Sequence, residues 1–332
     1  KKIAISNWID LINCYNTIRF MLYIFCNKMV NIMKKLGLAT AVLLAMTGAQ
    51  AYQFEVQGQS EYIDNTANDK DFTGAVQGTY YFKDVDASKG PLAEAAFLNQ
   101  ASNVALAYSY GENGQEEAGR SRTVNHTYGV KGEAYVPTSV VPVYASASYS
   151  HTIADSKTAN ATDDQGDRYA LELGALVAPN FLVAVGYTSV ADQASLDAFN
   201  IVSNGVAKAA LESATIADKT DAITARTKYV GAIDGTNMSI GFESGLVYGE
   251  DTAYNLGTTL FLNPQLSVGA SYMESSFAGS PDKAWGANVN YFITPAVAVG
   301  ASYVNANYEA NLAQTAQVRD TQTIGVNAKF RF

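Results

Sequence analysis

The chain has 332 residues, 48% of them hydrophobic and 16% charged, and carries a formal charge of −9. That apolar share excludes a disordered chain, and an acidic balance with no basic run excludes a nucleic-acid binder. The 26 Gly and 21 Tyr against 2 Trp and 7 Pro favour strands and interfacial aromatic residues.

In chain order, a leader comes before anything that folds. From Met33 the sequence reads MKKLGLATAVLLAMTGAQA: Lys34 and Lys35, an apolar stretch from Leu36 to Met46, then Ala49-Gln50-Ala51. This is the pattern of a secretory signal peptide over 33–51, which makes Tyr52 the expected first mature residue. The apolar run is shorter than the roughly 20 residues of a membrane span. Residues 1–32 resemble neither a signal nor the remainder. They are expected to be translated upstream sequence, with a hydrophobic pre-segment around Ile18 to Cys26 as the alternative. Cutting after Ala51 removes both cysteines, Cys14 and Cys26, and with them any disulfide or thiol chemistry. The removed part holds six Lys/Arg and one acid, which leaves 16 bases against 30 acids, a formal charge of −14.

Beyond Tyr52 no apolar run is long enough for a membrane helix. Segments of about ten alternating residues recur instead, which predicts an all-β, antiparallel transmembrane barrel as a single domain over 52–332. Fourteen strands are predicted, at 52–63, 72–82, 103–111, 126–136, 143–154, 168–178, 181–191, 223–233, 238–250, 253–263, 265–277, 283–294, 296–309 and 321–332. Short turns fall at Pro137 to Pro142, Pro179-Asn180, Gly235-Thr236-Asn237, Asn263-Pro264 and Thr294-Pro295. Longer polar loops lie between them: DNTANDKD, ENGQEEAGRSRTVN, DSKTANATDDQGD and NLAQTAQVRD. Short periplasmic turns on one rim and long extracellular loops on the other are the asymmetry of a bacterial barrel.

Two connections break this alternation. Residues 83–102 stand where a short turn belongs, yet Pro91 followed by Leu92, Ala95 and Ala96 reads as a helix start. The connection 192–222 is the longest and carries Leu196, Phe199, Ile201, Val202, Val206 and Leu211 at roughly helical spacing. Apolar residues in such loops need burial, either folded over the rim or tucked into the bore as a constriction.

Strand parity separates two surfaces. The closing segment TQTIGVNAKFRF puts Ile324, Val326, Ala328, Phe330 and Phe332 on one face and Thr323, Gly325, Asn327, Lys329 and Arg331 on the other. In the first strand Tyr52, Phe54 and Val56 oppose Gln53, Glu55, Gln57 and Glu61. The charged residues keep to the polar parity, as expected where a Lys or Arg on the lipid face costs about 2–4 kcal/mol at mid-bilayer. The predicted pore-lining set is Glu55, Glu61, Lys131, Glu133, Arg168, Glu172, Arg226, Lys228, Glu243, Lys329 and Arg331. With signs mixed, these residues either set a transverse field across a water-filled eyelet or pair with one another and fill the lumen. Fourteen strands imply a narrow bore.

Tyr80, Tyr81 and Phe82, Tyr108 and Tyr110, and Tyr291 and Phe292 sit at strand ends and are expected to form aromatic girdles. Catalysis finds little support: Ser150 and His151 are adjacent on one strand and point to opposite faces, so they cannot form a dyad with each other, which leaves a barrel lipase as a remote alternative. No metal site is expected, and the acidic run Asp163-Asp164-Gln165-Gly166-Asp167 reads as a solvated loop, since it lacks calcium-loop spacing.

The mature start YQFEVQGQSEY, the TYYF at 79–82 and the NAKFRF terminus resemble the putative-porin family of Gram-negative outer membranes, in particular its 33–36 kDa outer-membrane porin type. That resemblance implies a water-filled passive channel for small solutes and carbapenem antibiotics, with no cofactor, no enzymatic step and no catalytic residues. The expected function is passive diffusion of water and small hydrophilic solutes across the outer membrane. The expected partners are outer-membrane lipid, those solutes and the barrel-assembly machinery through the terminal Phe332, with no nucleic acid. The alternative is a plugged barrel whose acidic loops bind host surface ligands as an adhesin does.

Overall fold

The computed structural model describes residues 51–65, 70–114, 122–156, 163–191, 199, 220–276, 281–307 and 321–332. The expected upstream segment 1–32 lies outside the described residues. So do the expected signal peptide up to Gln50, and 192–219 apart from Phe199.

Fourteen strands close into one antiparallel barrel in which each strand pairs with its sequence neighbours and the last returns to the first. They are β1 (Ala51–Asn65), β2 (Lys70–Asp86), β3 (Asn103–Gly114), β4 (Arg122–Val136), β5 (Val143–Ser156), β6 (Asp164–Ala178) and β7 (Phe181–Ala191). The second half comprises β8 (Thr220–Ala232), β9 (Ser239–Tyr248), β10 (Thr252–Phe261), β11 (Leu266–Ser275), β12 (Lys283–Thr294), β13 (Val297–Asn307) and β14 (Thr321–Arg331). Closure leaves no edge and pairs the backbone of every strand on both sides, which a sheet in hydrocarbon requires. All of the predicted strands are present. The acidic run is a correction: Asp164 to Asp167 belong to β6, where they pair with Ala154 to His151 of β5.

Alternation sorts the side chains. Phe54, Leu106, Tyr128, Leu171, Leu173, Val185, Ile223, Phe242, Ile324 and Val326 are exposed on the outer face, while Ser109, Thr127, Ser150 and Thr152 are buried inside. Three aromatic expectations need correcting. The strand register shifts between Tyr52 and Phe54, where the Gln53 and Phe54 N–H groups both donate to the Phe332 carbonyl, so Tyr52 turns inward and meets Tyr81 edge-on at 5.6 Å. Tyr81 and Phe292 are also buried: each points opposite to its two chain neighbours, Tyr80 and Phe82 or Tyr291 and Ile293, which are exposed on the outer face.

The connection from β2 to β3 is no simple turn. Its residues 87–102 contain a 3-10 turn, Leu92–Glu94, running directly into a one-turn helix, α1 (Ala95–Leu98), with Pro91 just ahead of the turn rather than inside it. Phe97 packs with Tyr144, Leu176, Leu182, Val230 and Phe261. Leu92 packs with Phe292 and Ala298, and Ala95 with Tyr52, Tyr81 and Val85. These partners come from strands all round the ring and lie at their short-turn ends, so the segment folds into the mouth as a stopper. Burying Phe97 and Leu92 contributes roughly 1.5–3 kcal/mol each.

The wall is tightest between β6 and β7. A Cβ added at Gly174 would lie 2.5 Å from the Val183 carbonyl oxygen and 2.7 Å from the Ala184 Cβ, both fixed to backbone. Gly174→Ala should therefore destabilise the barrel by about 1–3 kcal/mol, read as a lower urea midpoint for unfolding from lipid vesicles. A midpoint equal to the parent's would contradict this packing.

Candidate functional site

Immediately above the stopper, the inner wall carries a belt of charge. Each strand-borne member sits on the inward parity of its strand, and the ring brings together groups far apart in sequence. On the β1–β14 seam, Glu55 receives Arg331 Nε at 2.7 Å and Lys329 Nζ at 3.1 Å. Both Glu55 and Arg331 are almost fully enclosed, at 6% and 3% exposure. The Arg331 guanidinium also lies 4.5 Å from the Tyr52 ring centroid and 4.6 Å from that of Phe292. Its Nη1 donates to the Leu92 carbonyl of the stopper at 2.8 Å.

Across the bore, Arg226 on β8 donates through Nε to both Glu172 oxygens, at 2.9 and 3.0 Å, and through Nη2 to the Tyr144 hydroxyl at 2.7 Å. Tyr144 in turn donates to Glu133 at 2.8 Å, Lys131 Nζ approaches Glu133 at 3.1 Å, and Asn103 Nδ2 donates to it at 3.1 Å. Lys228 bridges Glu94 of the stopper at 2.8 Å and Glu243 of β9 at 2.9 Å, with its Nζ 5.1 Å from the Phe97 ring. Glu61 lies further from the mouth on β1, buried, and accepts from the Gln59 amide. Arg168 stands nearer the loop rim of β6 and is half-buried.

Between the β2–β4 wall and the β7–β8 wall lies a cavity of about 200 Å³, bordered by Gln77, Thr79, Asn103, Glu133, Arg226 and Lys228, with Glu94 and Phe97 of the stopper beneath it. Such a volume is well above what one water needs.

Two members of the belt escape sequence reasoning. Glu94 sits in a connection that reads as a helix start, with no strand parity to place it, and Tyr144 looks like an aromatic girdle residue. The available signal was the run of large apolar side chains on the inward parity at the short-turn ends: Tyr135, Tyr144, Leu176, Leu182, Val230 and Phe261. Nothing but a segment inside the mouth can cover them.

The two histidines of the barrel lie on the outer face. His126 Nδ1 meets the Tyr108 hydroxyl at 2.9 Å, and His151 Nδ1 lies 2.8 Å from Asp167. Ser150 is buried on the inner face, opposite His151. No grouping of three potential metal-ligating side chains occurs among the described residues.

A closed fourteen-strand ring, apolar outside and charged inside, is the architecture of an outer-membrane channel, and the family comparison agrees. Residues 26–330 match the family described as "Putative general bacterial porin". The chain belongs to that family. It is similar to the crystal structure of the Acinetobacter baumannii outer membrane protein Omp33, at 54% identity over 85% of this chain and 99% of that one, with a TM-score of 0.62. The monoaromatic hydrocarbon channel CymD shares the fold alone, at 10% identity over 86% of this chain and 90% of that one, with a TM-score of 0.52. No curated protein matches the chain. This porin is accordingly a multi-pass protein of the Gram-negative outer membrane, crossing it with strands.

Removing one partner from an enclosed ion pair strands the other. Arg331→Leu should cost about 3–5 kcal/mol of stability in vesicle unfolding, and more than Lys329→Leu, since Arg331 also holds the Leu92 carbonyl. Equal losses from the two substitutions would contradict the assigned geometry.

Proposed function

We propose that this porin gives passive diffusion of water and small hydrophilic solutes, small antibiotics included, through a narrow, charge-compensated lumen. Glu55, Glu61, Lys131, Glu133, Arg168, Glu172, Arg226, Lys228, Glu243, Lys329 and Arg331 line the path. No chemical step and no cofactor is involved.

One observation carries this reading: the belt cations pair with carboxylates at 2.7–3.1 Å and leave beside them an open cavity of about 200 Å³, room for several waters. Of the two arrangements that mixed signs allow, mutual pairing accounts for these distances better than opposed, unpaired rows. Size then sieves solutes more than net charge does. The outer apolar face takes outer-membrane lipid as its partner, and Phe332 engages the barrel-assembly machinery.

The seated stopper favours a second reading, a plugged barrel whose acidic loops bind surface ligands. Liposome swelling separates the two. Vesicles holding the porin should swell in isotonic solutions of small sugars and amino acids, and the plugged reading requires that they do not.

Charge compensation gives a further expectation. The double variant Arg226→Gln, Lys228→Gln leaves Glu94, Glu172 and Glu243 without their cations. Reversal potentials in a potassium chloride gradient should move towards cation preference, and an unchanged potential would remove these residues from the path.

A further inference from the structure

We infer that the β1–β14 seam holds a site for a hard monovalent cation, sodium or potassium, built from the Glu61 carboxylate and the Ser302 hydroxyl over Gly325. The inference rests on the channel reading above for the cation's route and its effect on selectivity, but not for binding itself.

Glu61 stands apart from the belt. Each belt carboxylate has a Lys or Arg nitrogen at 2.7–3.1 Å. Glu61 is enclosed as tightly as Glu55, at 5% exposure, yet among the described residues its partner is the neutral Gln59 amide. Neither β1 nor β13 contains a base, and both bases of β14 are bound to Glu55. The nearer of the two, Lys329, stands opposite Gln57, four residues short of Glu61, or about 13 Å along the seam at about 3.3 Å per residue. An enclosed carboxylate without a counter-charge is costly, and carboxylates so placed are paired or hold a metal ion.

The wall beside Glu61 is shaped to receive such an ion. Gly325 pairs with Glu61 across the seam, and Ser302 pairs with Gly325 on the next strand. The missing side chain leaves a cradle between them. A Cβ on Gly325 would lie 2.4 Å from Ser302 Oγ, 3.3 Å from Glu61 Cγ and 3.6 Å from its Oε1, so carboxylate and hydroxyl converge on one hollow. Ser302 is itself enclosed, at 8% exposure, and so are Gln59 and Thr323, which add neutral oxygens on the same inner face. Ligands that are all oxygen suit a hard cation and not a transition metal. One carboxylate balances one positive charge, whereas a dedicated calcium site gathers several. So held, the ion exchanges with water in the lumen, and cations gain a resting place that chloride lacks.

Urea unfolding from lipid vesicles tests the site whether or not the barrel conducts. The full chain is compared in potassium chloride and in choline chloride at equal concentration, choline being too large for the cradle. The wild-type midpoint should be higher in potassium chloride. Glu61→Gln keeps the side-chain volume and removes the charge, so its two midpoints should coincide. Equal midpoints for the wild type, as a carboxyl keeping its own proton would give, overturn the site, and so does a difference that persists in Glu61→Gln. Reversal potentials in a potassium chloride gradient then test the consequence for transport. The potassium-to-chloride permeability ratio should fall about fivefold in Glu61→Gln and by less in Ser302→Ala, which keeps the charge. A ratio unchanged in Glu61→Gln overturns the role in selectivity. A barrel that responds to potassium yet passes no current and no solute overturns the channel reading and leaves the site standing.

Discussion

Everything in this protein depends on the last strand finding the first. In hydrocarbon no water satisfies a free backbone N–H or C=O, so a sheet is stable there only as a closed ring. The seam between β1 and β14 runs in register from Glu55 opposite Arg331 to Asn65 opposite Thr321. Phe332 extends it, its backbone exchanging hydrogen bonds with Phe54 while the two rings stack at 5.7 Å. Arg331 at this seam neutralises Glu55, lies between the Tyr52 and Phe292 rings, and holds the Leu92 carbonyl. Its site does not exist until the ring has closed, so the stopper can seat only in a completed barrel.

From mouth to loops the interior is layered, and the layers follow from what each must contact. At the mouth the wall is apolar because it covers Phe97 and Leu92. The charge belt comes next, where pairs form along a strand (Lys131 with Glu133), between neighbours (Lys228 with Glu243) and across an intervening strand (Glu172 with Arg226). Hydroxyl side chains follow, such as the buried Thr127–Thr152 bond at 3.0 Å. An inward charge beside an apolar layer is tolerable only when paired, and the belt at the edge of that layer is built from pairs.

The ring was legible in the sequence because its determinants are local. Two-residue alternation, Pro and Gly at turns, and loop lengths in phase each act within a dozen residues, and together they set strand number and rim. Exceptions came from effects that alternation does not encode. The register shift that turns Tyr52 inward depends on its pairing with β2. Whether Tyr81 belongs to a girdle or to the interior turns on register, since Tyr80 and Phe82 on either side face out. The Glu94–Lys228 contact exists only because closure brings β8 across the mouth from the β2–β3 connection. Helix-forming residues at 92–98 were readable as such, but local pattern left open whether they fold over the rim or into the bore.

The acidity of the chain as a whole says little about its bore. Within the belt, Lys131, Arg226, Lys228, Lys329 and Arg331 are set against Glu55, Glu94, Glu133, Glu172 and Glu243, base for acid. The surplus acids lie elsewhere, and several face outward beside tyrosine hydroxyls at the loop rim: Glu112 with Tyr110, Asp167 with Tyr149, Glu274 with Tyr254. Asp167 is separated from Glu172 by roughly 16 Å along β6, at about 3.3 Å per residue. That exceeds the Debye length of about 8 Å at physiological ionic strength, so the rim acids are screened from the belt in solution. They lie on the outer face at the rim, apart from the paired belt inside. A sequence-level charge of −9 therefore carries no prediction of cation selectivity for this barrel.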